Sequence, residues 1–418
     1  MSSPLPSQRR TILAGLVGNV MEWYDFAVYG YFATVIGNQF FPLDDPTASL
    51  LAAFAAFAVG FLVRPLGGLV FGRIGDLVGR KRALTLSVLA MAMPTVLIAL
   101  LPTYATIGIA APIAIVALRI VQGLSVGGEY TNSIIFLVER SSADRRAFTA
   151  VWGVWGATAG VLLGSGIGAL ATTIFEDEQL ASWGWRLPFL LGALVAVTGI
   201  IIRNGIEGDE SIGETQTPVR DTFGRHRLAV LRVALLNIGN GVGFYAVFVY
   251  AVTYIQDIDK LSEEIALNLN TGAMSLLLLI LPIGAWLSDR FGRKPLLVVG
   301  GVLMTFGAVP LFMLIHSTNP ATIFLGEAGF VLAFGLFAGG IAAANVELMP
   351  SSVRCTGLAF AYNASIGYFG GTTPLIVAWL IAATGNPLMP AYWLVAASAV
   401  SLFSAVFLIR ETRFSPLR

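Results

Sequence analysis

The sequence predicts an all-α protein that crosses a membrane twelve times, its helices arranged as two related six-helix bundles. Three observations carry that prediction. The 418 residues are 56% hydrophobic and 12% charged, with a mean hydropathy of +0.80, whereas a soluble globule carries about twice that charged fraction. Apolar runs of about 20–30 residues, long enough to span a bilayer when tilted, lie near 12–41, 48–74, 83–102, 106–138, 147–175, 183–203, 228–256, 265–288, 295–316, 319–346, 355–384 and 388–409. A charged turn between two such runs, GRIGDLVGRKR at 72–82, returns 213 residues later as GAWLSDRFGRK, with Asp289, Gly292, Arg293 and Lys294 in the places of Asp76, Gly79, Arg80 and Lys81. The expected division is a bundle over 1–205, a flexible polar linker over 206–227 and a second bundle over 228–418.

Charge sets the expected orientation. Lys and Arg gather in alternate connections, at Arg9–Arg10, Arg73–Arg82, Arg140–Arg146, Arg203–Arg232, Arg290–Lys294, Arg354 and Arg410–Arg418, while the other set holds Asp44–Asp45, Glu176–Glu178 and Asp257–Glu264. The positive-inside bias places the first set, and both termini, in the cytoplasm. The net charge of +1 is spread over these loops, so no basic face for nucleic acid is expected. A single cysteine, Cys355, allows no internal disulfide, and Arg9–Arg10 lead into a full-length span with no cleavable signal pattern.

The first run contains Glu22 and Asp25, and a carboxylate at membrane depth is a functional candidate. At 100° per residue Asn19, Glu22, Asp25, Phe26 and Tyr29 share about a third of the helix surface. These carboxylates either titrate or pair with an arginine that holds helices together. The second run offers Arg64 beside Pro65 and Gly67–Gly68; a buried arginine keeps its charge and needs an anionic or carbonyl partner, and Asp25 is the expected one. In the fourth run Arg119, Gln122, Ser125, Val126, Glu129, Asn132 and Ser133 share one face, with Gly123, Gly127 and Gly128 permitting close helix approach. Arg119 and Glu129 are about 15 Å apart along the helix, so each needs another partner. A second echo, Glu139 and Arg146 against Glu347 and Arg354, recurs at an offset of 208 residues. The second half is poorer in buried charge, with Asn237, Asn240, Tyr245, Tyr250, Tyr254, Glu327, Asn345, Tyr362, Asn363 and Tyr368 as its polar inventory.

The charged turn resembles the signature loop of the major facilitator superfamily, G-x3-D-x2-G-R-K. Leu77 stands where the family often has arginine; the second copy has that arginine as Arg290 but lengthens the Gly–Asp spacing by one. GNVMEWYDFAVYGYF, VRPLGGLVFGRIGDLVGRK, RIVQGLSVGGEY and SWGWRLPFLLG, in that order, resemble the metabolite:proton symporter family over essentially the whole chain. That resemblance implies proton-driven uptake, across a bacterial inner membrane, of citrate, 2-oxoglutarate, shikimate, aromatic carboxylates, or proline and betaine. The chain stops about nine residues past its last span, without the long heptad-bearing extension of the osmosensing members, so an osmosensor is the lesser expectation.

Four expectations follow. The substrate cavity lies at mid-depth between the bundles. Glu22 or Asp25 facing Arg64, with Glu129 as second candidate, carries the proton. Asp76, Arg80, Arg146, Asp289, Arg293 and Arg354 latch the cytoplasmic side. A small di- or tricarboxylate is held by Arg119 with Gln122, Asn19 and Tyr29 and covered by Asn240, Tyr245 and Tyr362; the alternatives are a zwitterion, its ammonium against Trp23, Trp152 or Trp155, or export of a drug or siderophore. A channel lacks its ring of like charges or carbonyl filter. An enzyme lacks a nucleophile motif, a phosphate loop or a His/Cys cluster. No metal or cofactor is expected; the partners are the small-molecule substrate, protons and the lipid bilayer, with the monomer as the working unit.

Overall fold

The computed structural model describes residues 8–68, 70, 80–127, 129–139, 141–192, 218–413 and 415–417. Among them there is no strand. Helix α1 is Gln8–Tyr31 resumed as Ala33–Phe40, α2 is Pro46–Gly68, α3 is Arg80–Leu100, α4 is Ala110–Ser125 continued as Glu129–Glu139, α5 is Arg146–Ile174, and α6 opens over 186–192. In the second half α7 is Arg227–Asp257, α8 Glu263–Phe291, α9 Arg293–Ile315, α10 Pro320–Leu348, α11 Ser351–Thr384 and α12 Met389–Leu408. Nine of these, α2, α4, α5 and α7–α12, are by themselves long and apolar enough to cross a bilayer among the described residues; α1, α3 and α6 fill the remaining three places in the order.

Local sequence sets the helix ends. Pro46 and Pro320 occupy first-turn positions where no N–H is needed, and the Asp45 and Asn319 side chains accept the N–H groups of Thr47 and Ala321 at 2.9 Å each. Pro218 likewise starts a short helix, Pro218–Phe223, where a flexible linker was expected. Side chains such as Phe306, Phe407 and Leu279 stay exposed on the outside, as lipid-facing positions should. Helices α2 and α4 touch backbone to backbone, since a Cβ on Gly123 would lie 1.8 Å from the Gly60 carbonyl. That contact sets the Arg119 backbone level with Gly60, about one turn from Arg64.

The α8–α9 turn rests on Gly292, whose φ of +112° suits glycine alone. Its sequence twin at 72–79 lies outside the described residues, as does 206–217 of the linker.

Candidate transport site

Helix α1 carries the centre of the site. Asp25, buried, lies 3.7 Å from Arg119 Nη1 of α4. Gln122, one turn on from Arg119, accepts from Arg119 Nη1 through Oε1 at 2.9 Å and donates through Nε2 to Asp25 Oδ2 at 2.5 Å. The Thr95 hydroxyl of α3 donates to Asp25 Oδ1 at 2.6 Å and accepts from Gln122 at 3.0 Å. One turn nearer the hinge end, Arg64 of α2 donates to Glu22 at 2.6 Å.

The expected Asp25–Arg64 pair is therefore corrected. Helices α1 and α2 run in opposite directions, and their relative depth sets Arg64 level with Glu22 rather than Asp25. Asp25, a turn deeper, meets Arg119. Among the described residues the cluster holds two guanidinium cations and two carboxylates, with no surplus positive charge.

Aromatic rings enclose both arginines. The Arg119 guanidinium lies 4.4 Å from the Tyr29 ring, 4.6 Å from Phe26 and 5.3 Å from Phe57. Arg64 lies 5.1 Å from Phe61 and 5.9 Å from Trp23. The second half closes this wall: Tyr245 of α7 packs against Phe61 at 5.1 Å and stacks on Trp23 at 6.3 Å, while Phe244 meets Trp23 at 5.4 Å. Tyr362 of α11 stacks on Tyr130 of α4 at 4.7 Å. Arg119 is fully buried, yet its Nε and Nη2 have no hydrogen-bond partner; the Tyr245 hydroxyl has none either. Unpaired donors of this kind are costly to bury and suit an anionic ligand.

Gln122 and Tyr29 lie against Arg119, Tyr245 lies within its electrostatic reach, and Tyr362 lies against Tyr130. Asn19 instead donates to Ser133 Oγ at 3.1 Å and to the Gly153 carbonyl at 3.3 Å, tying α1 to α4 and α5. Asn240 lies on α7, half-buried, and its Oδ1 is without a partner. Trp152 and Trp155 pack on each other at 5.8 Å, apart from Trp23. Asp76 and the side chains of Arg80 and Glu129 lie outside the described residues. Thr95, Phe57 and Phe61 were missed, since a threonine beside Pro94 and phenylalanines in an apolar run carry no sequence signal.

At the hinge end the halves are joined by charge. Asp289 accepts the backbone N–H groups of Ala147 and Phe148, at 3.0 and 2.8 Å, at the N-terminus of α5, where the helix dipole favours an anion. Arg293 donates to Asp289 at 2.7 Å and to Glu347 at 3.1 Å. The echoed pairs exchange partners across the seam: Arg354 meets Glu139 at 2.6 Å, and Arg146 meets Glu347 at 3.5 Å. After α12, Glu411 accepts the N–H groups of Arg293 and Lys294 at 2.9 Å each, and Thr412 donates to Glu347 at 2.6 Å. The last residues thereby strap the turn.

At the opposite end the seam is held by neutral groups. Tyr31 of α1 donates to the Phe248 carbonyl of α7 at 3.0 Å and accepts from Asn270 of α8 at 2.8 Å. Asn270 also donates to Ser165 of α5 at 3.1 Å. None of Tyr31, Asn270 and Ser165 stood out in the sequence.

Residues 15–374 match the family profile described as Major Facilitator Superfamily. The chain belongs to that superfamily. It is 36% identical over 426 residues to the glycine betaine/proline/ectoine/pipecolic acid transporter OusA of Dickeya dadantii (strain 3937), covering 98% of this chain and 85% of that one. It is 35% identical, with the same coverage, to the proline/betaine transporter of Salmonella typhimurium (strain LT2). The fold is that of the E. coli xylose transporter XylE in its partially occluded inward-open conformation, with a TM-score of 0.78, 19% identity, and coverage of 98% of this chain and 99% of that one. The chain is a multi-pass secondary transporter and not an enzyme. Between them, the Dickeya and Salmonella relatives are named for glycine betaine, proline, ectoine and pipecolic acid, which matches the zwitterion alternative rather than the di- or tricarboxylate expectation.

Proposed function

We propose that this protein takes up a small zwitterion, of the betaine or proline class, together with protons. The observation that carries this reading is Arg119, fully buried in an aromatic cage at the seam with two donor nitrogens unused. The substrate carboxylate would meet those nitrogens as a charge-assisted pair, and its ammonium would lie against aromatic faces among Trp23, Phe61 and Tyr245. A net-neutral ligand leaves the cluster balanced. Asp25 is the proton carrier: Gln122 links it to Arg119, so a carboxylate arriving on Arg119 competes with Asp25 for that cation.

The hinge end is the cytoplasmic side of a bacterial inner membrane, with both termini there, and the monomer is the working unit. The bundles are 1–205 and 228–418, joined by 206–227. The pairs of Asp289, Arg293, Arg146 and Arg354, with Asp76 and Arg80 in the other copy of the turn, form the gate on that side. The test is accumulation of labelled glycine betaine, proline and citrate by proteoliposomes under an inward proton gradient. Gradient-dependent accumulation of glycine betaine or proline supports the reading; accumulation of citrate alone overturns it.

A further inference from the structure

We propose that Glu327 of α10 is a second proton-binding site, separate from the arginine-paired carboxylates of α1, which holds its proton while the seam is closed and exchanges it when the end opposite the hinge opens. Glu327 is fully buried, and among the described residues it forms no ion pair; neither carboxylate oxygen has a hydrogen-bond partner. It lies about 10 Å along α10 from Pro320. Gly272 of α8 faces the Phe324 ring, and Gly335 of α10 faces Leu277 and Ile280. That register sets Glu327 level with Asn270–Met274 of α8. Its helix neighbours one turn away, Ile323, Phe330 and Val331, and two turns away, Phe334, are at most 4% exposed.

A carboxylate in such a setting costs several kcal/mol as an unpaired ion. A bound proton removes that charge. Glu22, Asp25 and Asp289 escape the cost through arginines or backbone N–H groups, and Glu327 has none of these. Among the described residues, the ionisable group of another helix within electrostatic reach is Tyr31 of α1. From α8 comes the neutral Asn270, whose Oδ1 is also without a partner, and from α5 the hydroxyl of Ser165. From α7 Phe248 packs on Phe334, and from α9 Phe312 packs on Phe330. The α9 end carries His316, occupied with Asp259 at 2.6 Å and set edge-on to Tyr254 of α7.

The Tyr31–Asn270–Ser165 bonds cross between the halves, so parting the halves there removes the polar seal beside Glu327 and admits water. In water the acid releases or takes up its proton freely; on closure only the neutral form returns to the apolar site. The step is a protonation equilibrium and needs no other reactant.

The role in transport rests on the proton-coupled reading above; the protonation itself does not. Infrared difference spectra of the purified full chain, without substrate, would show a protonated-acid C=O band that shifts in Glu327→Asp and vanishes in Glu327→Gln. In proteoliposomes, Glu327→Gln should lower gradient-driven accumulation of glycine betaine about tenfold while exchange of internal for external betaine stays within about twofold. Two results would each overturn the site: an unaltered band in Glu327→Gln, or sodium-dependent uptake at clamped pH that Glu327→Gln abolishes, which would make the carboxylate a metal-cation ligand. A wild-type chain that shows the band but accumulates no betaine or proline would instead remove the proposed function and leave the protonation site standing.

Discussion

Glu22 and Asp25 stand three residues apart on one helix, and their surroundings assign them different work. Glu22 meets Arg64 directly at 2.6 Å, a tight buried pair whose loss leaves an arginine that cannot shed its charge. Glu22→Gln should therefore destabilise the protein by about 3–5 kcal/mol, and Glu22→Gln combined with Arg64→Gln should recover much of that loss. Thermal melting of the purified variants in detergent checks both. Asp25 meets Arg119 only at 3.7 Å, with Gln122 and Thr95 filling the gap. Asp25→Asn can keep hydrogen bonds to both but leaves Arg119 without its carboxylate, so melting should fall by less than in Glu22→Gln while gradient-driven accumulation is lost and substrate exchange persists. Equal accumulation by Asp25→Asn and wild type would take the proton from Asp25. The sequence exposed these four charged residues because ionisable groups in apolar runs are rare; it did not expose their pairing, which depends on the relative depth of antiparallel helices.

At the scale of elements, the α8–α9 turn shows how a short motif ties the two halves together. Asp289 binds two N–H groups at the start of α5 in the other half, and its own helix supplies Arg293 to fix its orientation. Glycine at 292 is required by its φ, and an added Cβ would lie 2.5 Å from the Glu411 carboxylate, so that side chain would have to move. Gly292→Ala should strain the turn and dislodge the strap, so that a label placed at Ser415 becomes more mobile by electron paramagnetic resonance. An unchanged spectrum would show that the strap does not depend on this contact. The duplicated turn and the Glu–Arg echoes were legible as repeats. That the echoed pairs join Arg354 to Glu139 and Arg146 to Glu347 was not, because a repeat reveals equivalent positions within each half and is silent on contacts between halves. Glu411 and Thr412, polar residues just past the last span, carried no signal either.

On the scale of the whole molecule, the two halves are bonded at both ends, by ions at the hinge end and by neutral groups at the other. Alternating access requires that each set open in turn, so the conformational balance reflects the difference between the two sets. The fold was readable from hydropathy and repetition because the bilayer demands long apolar helices. The neutral seal was hidden, since Tyr31, Ser165 and Asn270 look like ordinary packing residues until three helices converge on them. Tyr31→Phe deletes one hydroxyl that both donates to Phe248 and accepts from Asn270, a loss of about 1–2 kcal/mol from the seal. Spin-label distances across the two ends should then show the opposite end opening, with a change of roughly 5–30-fold in the ratio of open to closed molecules there. Asp289→Asn weakens the other set and should open the hinge end, with substrate affinity within a few-fold of wild type because no atom of the Arg119 site is touched. Asp289 and Tyr31 share no partner and lie at opposite ends of the seam, so their effects should add. The double variant should return both distance distributions toward those of the wild type. Widening of the hinge end in Tyr31→Phe, or a double variant open at both ends, would show that the two sets of bonds do not oppose one another.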